Sequence, residues 1–244
     1  MLFRSWTDQS ACLLEVQAVS VRRSRTEILR DISFCVKNGV TAGVIGPNGA
    51  GKTTLLEAIS GGLPCSSGTI RWQGVPLDDR IRRERLFFLP DGIRPAPDHR
   101  VADVLDLFRL AYRQPGDYAR ALVAALGLEP VLTKRVRHLS KGFSKRFLLS
   151  LGMLADVPLL ILDEPLDGLD LHQVAVVKGL LARLHDRGRT LLLSIHELSL
   201  AEQFCDTFIL LNQGRLIAEG SLVELRRRAG LHSGGLDRVF LALT

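Results

Sequence analysis

Nine consecutive residues, Gly46-Pro47-Asn48-Gly49-Ala50-Gly51-Lys52-Thr53-Thr54, carry the strongest chemical signal in the chain. They fit the spacing G-x-x-x-x-G-K-[ST] and lie between an apolar run, VTAGVI, and a helical run, KTTLLEAIS. Glycines at 46, 49 and 51 let the backbone curl until successive N–H groups face an anion. The following helix adds the positive end of its dipole. Phosphate is the occupant such a turn asks for. Lys52 would neutralise β- and γ-phosphates, and the Thr53 hydroxyl is a hard oxygen ligand for Mg2+. The alternative, a bare glycine-rich turn, is disfavoured by the strand and helix on either side.

A second chemical segment is Pro158-Leu-Leu-Ile-Leu-Asp163-Glu164-Pro165, an apolar strand ending in two adjacent carboxylates. A buried parallel strand with acids at its carboxyl end places them where open α/β sheets bind ligands. Asp163 is the natural residue to hold Mg2+, directly or through one of its ligands, and Glu164 is the candidate to orient or deprotonate an attacking water. Adjacent acids are more often a solvated pair, and the preceding apolar strand argues against that here. The run TLLLSIHEL is another buried-type strand and ends at His196. A histidine taken alone is usually a polar surface or core residue.

The elements that must position these residues follow from the hydrophobic pattern. The 244 residues are 46% hydrophobic and 24% charged, which fits one or two compact units and excludes disorder. Short β-branched or Leu-rich runs alternate with helical ones, as in a sheet covered by helices. Expected strands are Leu13–Val19, Ile28–Val36, Val40–Ile45, Thr69–Gln73, Leu86–Leu89, Leu159–Leu162, Thr190–Ile195, Thr207–Leu211 and Arg215–Glu219. From about Gly92 to Asp156 the pattern turns helical, with amphipathic stretches at Val101–Tyr112, Tyr118–Leu126 and Ser144–Leu154. Asn38-Gly39 and Asn212-Gln213-Gly214 are expected to close hairpins. SLVELRRRAG predicts an amphipathic helix stopped at Gly230, within a tail over 221–244.

Apolar runs fall short of the roughly 18 residues a spanning helix needs. The start of the chain holds Arg4, Asp8 and Glu15 and no signal-like apolar stretch, so a cytoplasmic location is expected. Cys12, Cys35, Cys65 and Cys205 are scattered without a CxxC pair and are expected to be reduced thiols, most of them in the core. The net charge of +6 comes from arginine patches such as 226–228. A solvated face explains these better than an anionic membrane. Nucleic acid is not expected, because no aromatic residues interleave with the arginines.

The segment Leu139-Ser140-Lys141-Gly142-Phe143, followed by Ser144-Lys145-Arg146, resembles the signature of nucleotide-binding subunits of ATP-binding cassette (ABC) transporters, usually LSGGQ and a basic residue. The likeness runs from about Leu13 to Gly230. The motif order agrees: phosphate loop, glutamine-loop region, helical insertion, signature, acidic strand, Asp167-Gly-Leu-Asp170 resembling the D-loop, and the switch histidine. The resemblance implies a single α/β ATPase domain: a P-loop NTPase (RecA-like) core with an N-terminal antiparallel β subdomain and a helical subdomain inserted at about 92–156. It implies ATP and Mg2+ as ligands, with Glu164, His196 and Lys52 as the catalytic set. It also implies a head-to-tail dimer, in which Ser140 and the Gly142 N–H meet the γ-phosphate of ATP held by a second nucleotide-binding subunit. A transmembrane permease would be the other partner, at the cytoplasmic face of the membrane.

Three departures from the family pattern stand out. Asp91 replaces the usual glutamine and is a competent Mg2+ ligand beside Thr53 and Asp163, or simply a turn residue. Lys141 and Phe143 give an LSKG form similar to ABC-2 type exporters, which favours export. Arg23 stands where an aromatic residue normally stacks on adenine; a guanidinium can stack on a base, or the residue is a plain surface arginine. Two other readings remain at this level: a soluble ABC-type ATPase acting on nucleic acid or ribosomes, and a sensor that binds ATP without turnover.

Overall fold

Alternating burial shapes the first strands. In β1 (Cys12–Arg23) and β2 (Thr26–Lys37), residues such as Val16, Leu29, Ile32 and Phe34 point inward and most of their neighbours meet solvent. The two strands pair antiparallel, and β1 also pairs with β4 (Ser67–Trp72), which is edged by β5 (Val75–Pro76). The computed structural model describes residues 12–244. The reading that rested on Arg4 and Asp8 lies outside them.

The second sheet contains β3 (Thr41–Ile45), β6 (Leu86–Leu89), β7 (Leu159–Asp163), β8 (Thr190–Ile195), β9 (Thr207–Asn212) and β10 (Arg215–Gly220). Their order is β10-β9-β3-β8-β7-β6, parallel from β9 to β6 with β10 antiparallel at the edge. Every residue of β3, β7 and β8 is buried, as continuous apolar runs in a doubly covered sheet require. Period-two alternation divides these side chains between two cores. Leu160, Leu162, Leu191 and Leu193 face the helical side, and Leu159, Ile161 and Leu192 face the antiparallel sheet.

Helices α1 (Lys52–Ser60) and α2 (Asp79–Arg85) precede β6. Between β6 and β7 lie α3 (Val101–Ala111), α4 (Gly116–Ala125) and α5 (Lys141–Leu154), together with an isolated bridge between Arg100 and Arg135. The chain then forms α6 (Leu171–Asp186), α7 (Leu198–Phe204), α8 (Leu222–Arg228) and α9 (Leu236–Leu243). The fifth helix starts three residues ahead of the Ser144 expected from periodicity, because the Ser140 side chain accepts from the Phe143 N–H and caps it. In the tail, α9 buries Leu236 and Val239 in the helical-side core. Among the described residues no helix is long and apolar enough to cross a membrane.

Two expectations are corrected. Asn38-Gly39 does not close a hairpin: β2 belongs to the antiparallel sheet and β3 to the centre of the other, so this turn carries the chain between sheets. The Gly39 N–H donates to Thr190 Oγ1 at the crossing. Asn212-Gln213-Gly214 does join β9 to β10, with positive φ at Gln213 and Gly214. The cysteines also differ. Pairing of β1 with β2 brings Cys12 beside Cys35, and a disulfide joins them across 23 positions of sequence. Cys35 is exposed and the others are half-buried; Cys65 and Cys205 remain thiols, and burial pushes the Cys205 thiol up.

Candidate functional site

The carboxyl ends of β3, β7 and β8 point to one edge of the parallel sheet, and each delivers one of the chemical segments. After β3 the chain turns at Gly46, where a Cβ would stand 2.2 Å from the Leu211 carbonyl oxygen, so no larger residue fits without moving backbone. Gly51 takes φ of +101° at the N-cap of α1, a left-handed conformation that favours glycine. The loop therefore ends with the first N–H groups of α1 lacking intrahelical partners and available to an anion.

Lys52 is 6% exposed, and its Nζ donates to the Gly46 carbonyl at 2.9 Å and the Pro47 carbonyl at 3.4 Å. The same ammonium lies 3.5 Å from Glu164 Oε1. Glu164 Oε2 is 2.6 Å from His196 Nδ1, so the three residues form one connected row across the ends of β3, β7 and β8. Asp163 is 5% exposed, and its Oδ2 accepts from Thr53 Oγ1 at 2.9 Å. A hydroxyl beside a carboxylate, with no sulfur or nitrogen in the pair, is a donor set that fits Mg2+.

Sequence reasoning missed Ser194. Its hydroxyl donates to Asp163 Oδ1 at 2.5 Å and accepts the Glu164 N–H at 2.8 Å, tying both acids to β8. The available signal was a hydroxyl at the carboxyl end of the fully buried run TLLLSI, two residues before His196. Glu164 itself has φ of +46°, a left-handed backbone that a non-glycine residue keeps only where its surroundings fix it.

The start of α5 approaches the same edge. Lys141 Nζ binds Asp167 Oδ2 at 2.9 Å, and this hydrogen bond holds the Asp167 carboxyl below the usual carboxylate range while raising the lysine. Lys145 binds Asp91 Oδ1 at 2.6 Å. Asp91 thus joins the cluster through a lysine that in sequence is only part of the signature segment. Ser140 caps α5, and a Cβ on Gly142 would meet nothing within 4 Å, so the helix start is open to close approach. Arg23, at the end of β1, faces Glu57 of α1 at 3.8 Å, which places it beside the phosphate-loop helix.

Residues 29–167 match the family model described as ABC transporter. The chain is 31% identical over 241 residues to the ABC-type transporter ATP-binding protein EcsA of Bacillus subtilis (strain 168), covering 95% of this chain and 96% of that one. It is 35% identical over 218 residues to the Nod factor export ATP-binding protein I of Burkholderia orbicola (strain AU 1054), covering 87% of this chain and 72% of that protein. A solved structure of the ATP-binding subunit of an ABC transporter superposes with a TM-score of 0.86 at 32% identity, over 95% of this chain and 99% of that one.

Proposed function

Because the chain belongs to the ABC transporter family as an ATP-binding subunit, we propose that it hydrolyses ATP to drive an exporter across a membrane. The observation that carries this reading is the Lys52, Glu164 and His196 row beside the Thr53 and Asp163 oxygens. ATP enters with its phosphates on the loop from Gly46 through Pro47, Asn48, Gly49, Ala50 and Gly51 to Thr54, and Arg23 lies toward the base. Lys52 exchanges its two backbone carbonyls and Glu164 for phosphate oxygens. That exchange frees Glu164 Oε1 to take a proton from the attacking water. The water oxygen bonds to the γ-phosphorus as its bond to the β-bridging oxygen breaks, and ADP leaves with that electron pair. His196, on the other carboxylate oxygen, keeps Glu164 turned toward the reaction. Thr53 and Asp163 are the residues proposed to hold Mg2+, which would supply charge neutralisation at the phosphate oxygens, while Asp91 stays paired with Lys145.

The open start of α5, with Ser140 and Gly142, suits a phosphate brought by a second copy or a related subunit, so ATP would bridge two chains head to tail. Such a pair, with the 92–156 segment as its helical subdomain, would grip a transmembrane permease at the cytoplasmic face. The LSKG form and the export relatives favour outward transport.

The test uses purified protein with Mg2+ and ATP, read by phosphate release and by nucleotide binding. Glu164→Gln is expected to lower turnover by about 10² to 10⁴ while ATP stays bound. Lys52→Ala is expected to weaken ATP binding itself. A wild-type protein with no turnover, whose Glu164→Gln form also fails to dimerise with ATP, would sink the proposal.

A further inference from the structure

Lys145 lies on α5 with 7% of its side chain exposed. An ammonium withdrawn that far from water needs a counter-charge and hydrogen-bond acceptors. It has both: Nζ donates to Asp91 Oδ1 at 2.6 Å and to the Glu164 carbonyl at 2.8 Å. Asp91 comes from the segment after β6, and Glu164 from the end of β7. One lysine therefore ties a helix lying between these two strands in sequence to both of their carboxyl ends.

The carbonyl contact bears on the chemistry because Glu164 holds a left-handed backbone. Such a residue keeps its conformation when both flanking peptides are fixed. On the amino side the Glu164 N–H goes to Ser194; on the carbonyl side the oxygen accepts from Lys145 and, at 3.2 Å, from the Asp167 N–H. The Ser194 restraint comes from within the sheet. The Lys145 restraint comes from the helix whose first turn holds Ser140 and Gly142, so the placement of that turn and the direction of the Glu164 side chain are mechanically joined.

We infer that Lys145 is a positioning residue for Glu164, and that Asp91 is the counter-charge that lets a buried lysine serve there. The inference rests on the reading of Glu164 as the base. It also explains a carboxylate at position 91 in physical terms: a glutamine there would leave the Lys145 ammonium buried with neutral acceptors but no opposite charge.

The experiment is a double-mutant cycle with Lys145→Gln, Asp91→Gln and the two combined. Urea unfolding without nucleotide gives stability, and steady-state ATP hydrolysis gives kcat and KM. Lys145→Gln is expected to lower kcat about tenfold to a hundredfold with KM within about threefold, because geometry at Glu164 is lost and nucleotide binding is not. General damage to the fold would move both. Asp91→Gln should lower the urea midpoint, and the double variant should recover that midpoint and bring kcat to within about fivefold of wild type, since two amides can share a hydrogen bond. Strictly additive effects on the urea midpoint, or a Lys145→Gln variant with wild-type kcat, would overturn the inference. A wild-type chain without turnover would instead remove the ATPase reading, and the nucleotide-free unfolding cycle would still decide whether Lys145 and Asp91 are coupled.

Discussion

Removing the Ser194 hydroxyl tests whether the two acids are held by the sheet as the geometry says. In Ser194→Ala, Asp163 Oδ1 loses a donor at 2.5 Å and the Glu164 N–H loses its acceptor at 2.8 Å. Ser194 is fully buried and Asp163 nearly so, and the methyl group left behind offers neither partner. A hydrogen bond to a charged group contributes about 2 kcal/mol, and stranding a buried N–H costs about 1 kcal/mol, so the variant should lose about 3 kcal/mol. For a chain of this size that corresponds to a Tm lower by roughly 6 to 12 °C. Function should suffer further, because a displacement of about 1 Å at a reacting group can cost on the order of 10²-fold in rate. Urea unfolding and phosphate release measure the two effects, and Ser194→Thr, which keeps the hydroxyl, should recover most of both. An alanine variant within about 0.5 kcal/mol of wild type and within twofold in turnover would refute the claim that Ser194 supports Asp163 and Glu164.

Further outcomes follow from other contacts. Closing a loop of 23 positions predicts that the Cys12 to Cys35 bond contributes about 3 kcal/mol, so reductant should lower the urea midpoint of wild type and leave Cys35→Ala unmoved. The Asp167 carboxyl is depressed by Lys141, so its contribution is complete above the unfolded value of 3.8 and is lost as pH falls through the lower folded value. The Lys141 ammonium is raised, so its share is complete below 10.5 and lost as pH rises through the higher folded value. The difference in urea midpoint between wild type and Asp167→Asn should therefore stay flat from about pH 5 to pH 9, shrink at both extremes, and weaken in high salt. A difference that peaks near neutrality would refute this assignment.

The parts of the site built from local sequence are legible in the sequence itself. The phosphate loop declares itself because the chemistry requires glycines at fixed spacing and a lysine, and the strands β3, β7 and β8 because burial on both faces demands largely apolar runs. Besides Ser194, three things stayed hidden, each depending on how distant segments meet. Asn38-Gly39 has the composition of a hairpin turn, and only the sheet order shows that its flanking strands belong to different sheets. Cys12 and Cys35 are unrelated in sequence, and the β1–β2 pairing brings their Cα atoms to 5.9 Å on the diagonal. Lys145 read as one more basic residue, because a lysine in sequence is solvated by default and its burial depends on α5 packing against the ends of β6 and β7.

These contacts also bear on how the start of α5 could report to the chemistry. Lys141 reaches Asp167 and Lys145 reaches Asp91 and the Glu164 carbonyl, all from one side of the first turns of a single helix. Asp167 and Glu164 lie on the same loop, and the Asp167 N–H also holds the Glu164 carbonyl. A displacement of the α5 start on binding an anion would therefore pull at Glu164 through two lysines before any change in the sheet. The outer pair is exposed and screened, whereas the inner lysine is buried, so salt should weaken the first and spare the second. If hydrolysis responds to α5, raising ionic strength should leave that response largely intact, and Lys145→Gln should abolish it where Lys141→Gln only blunts it.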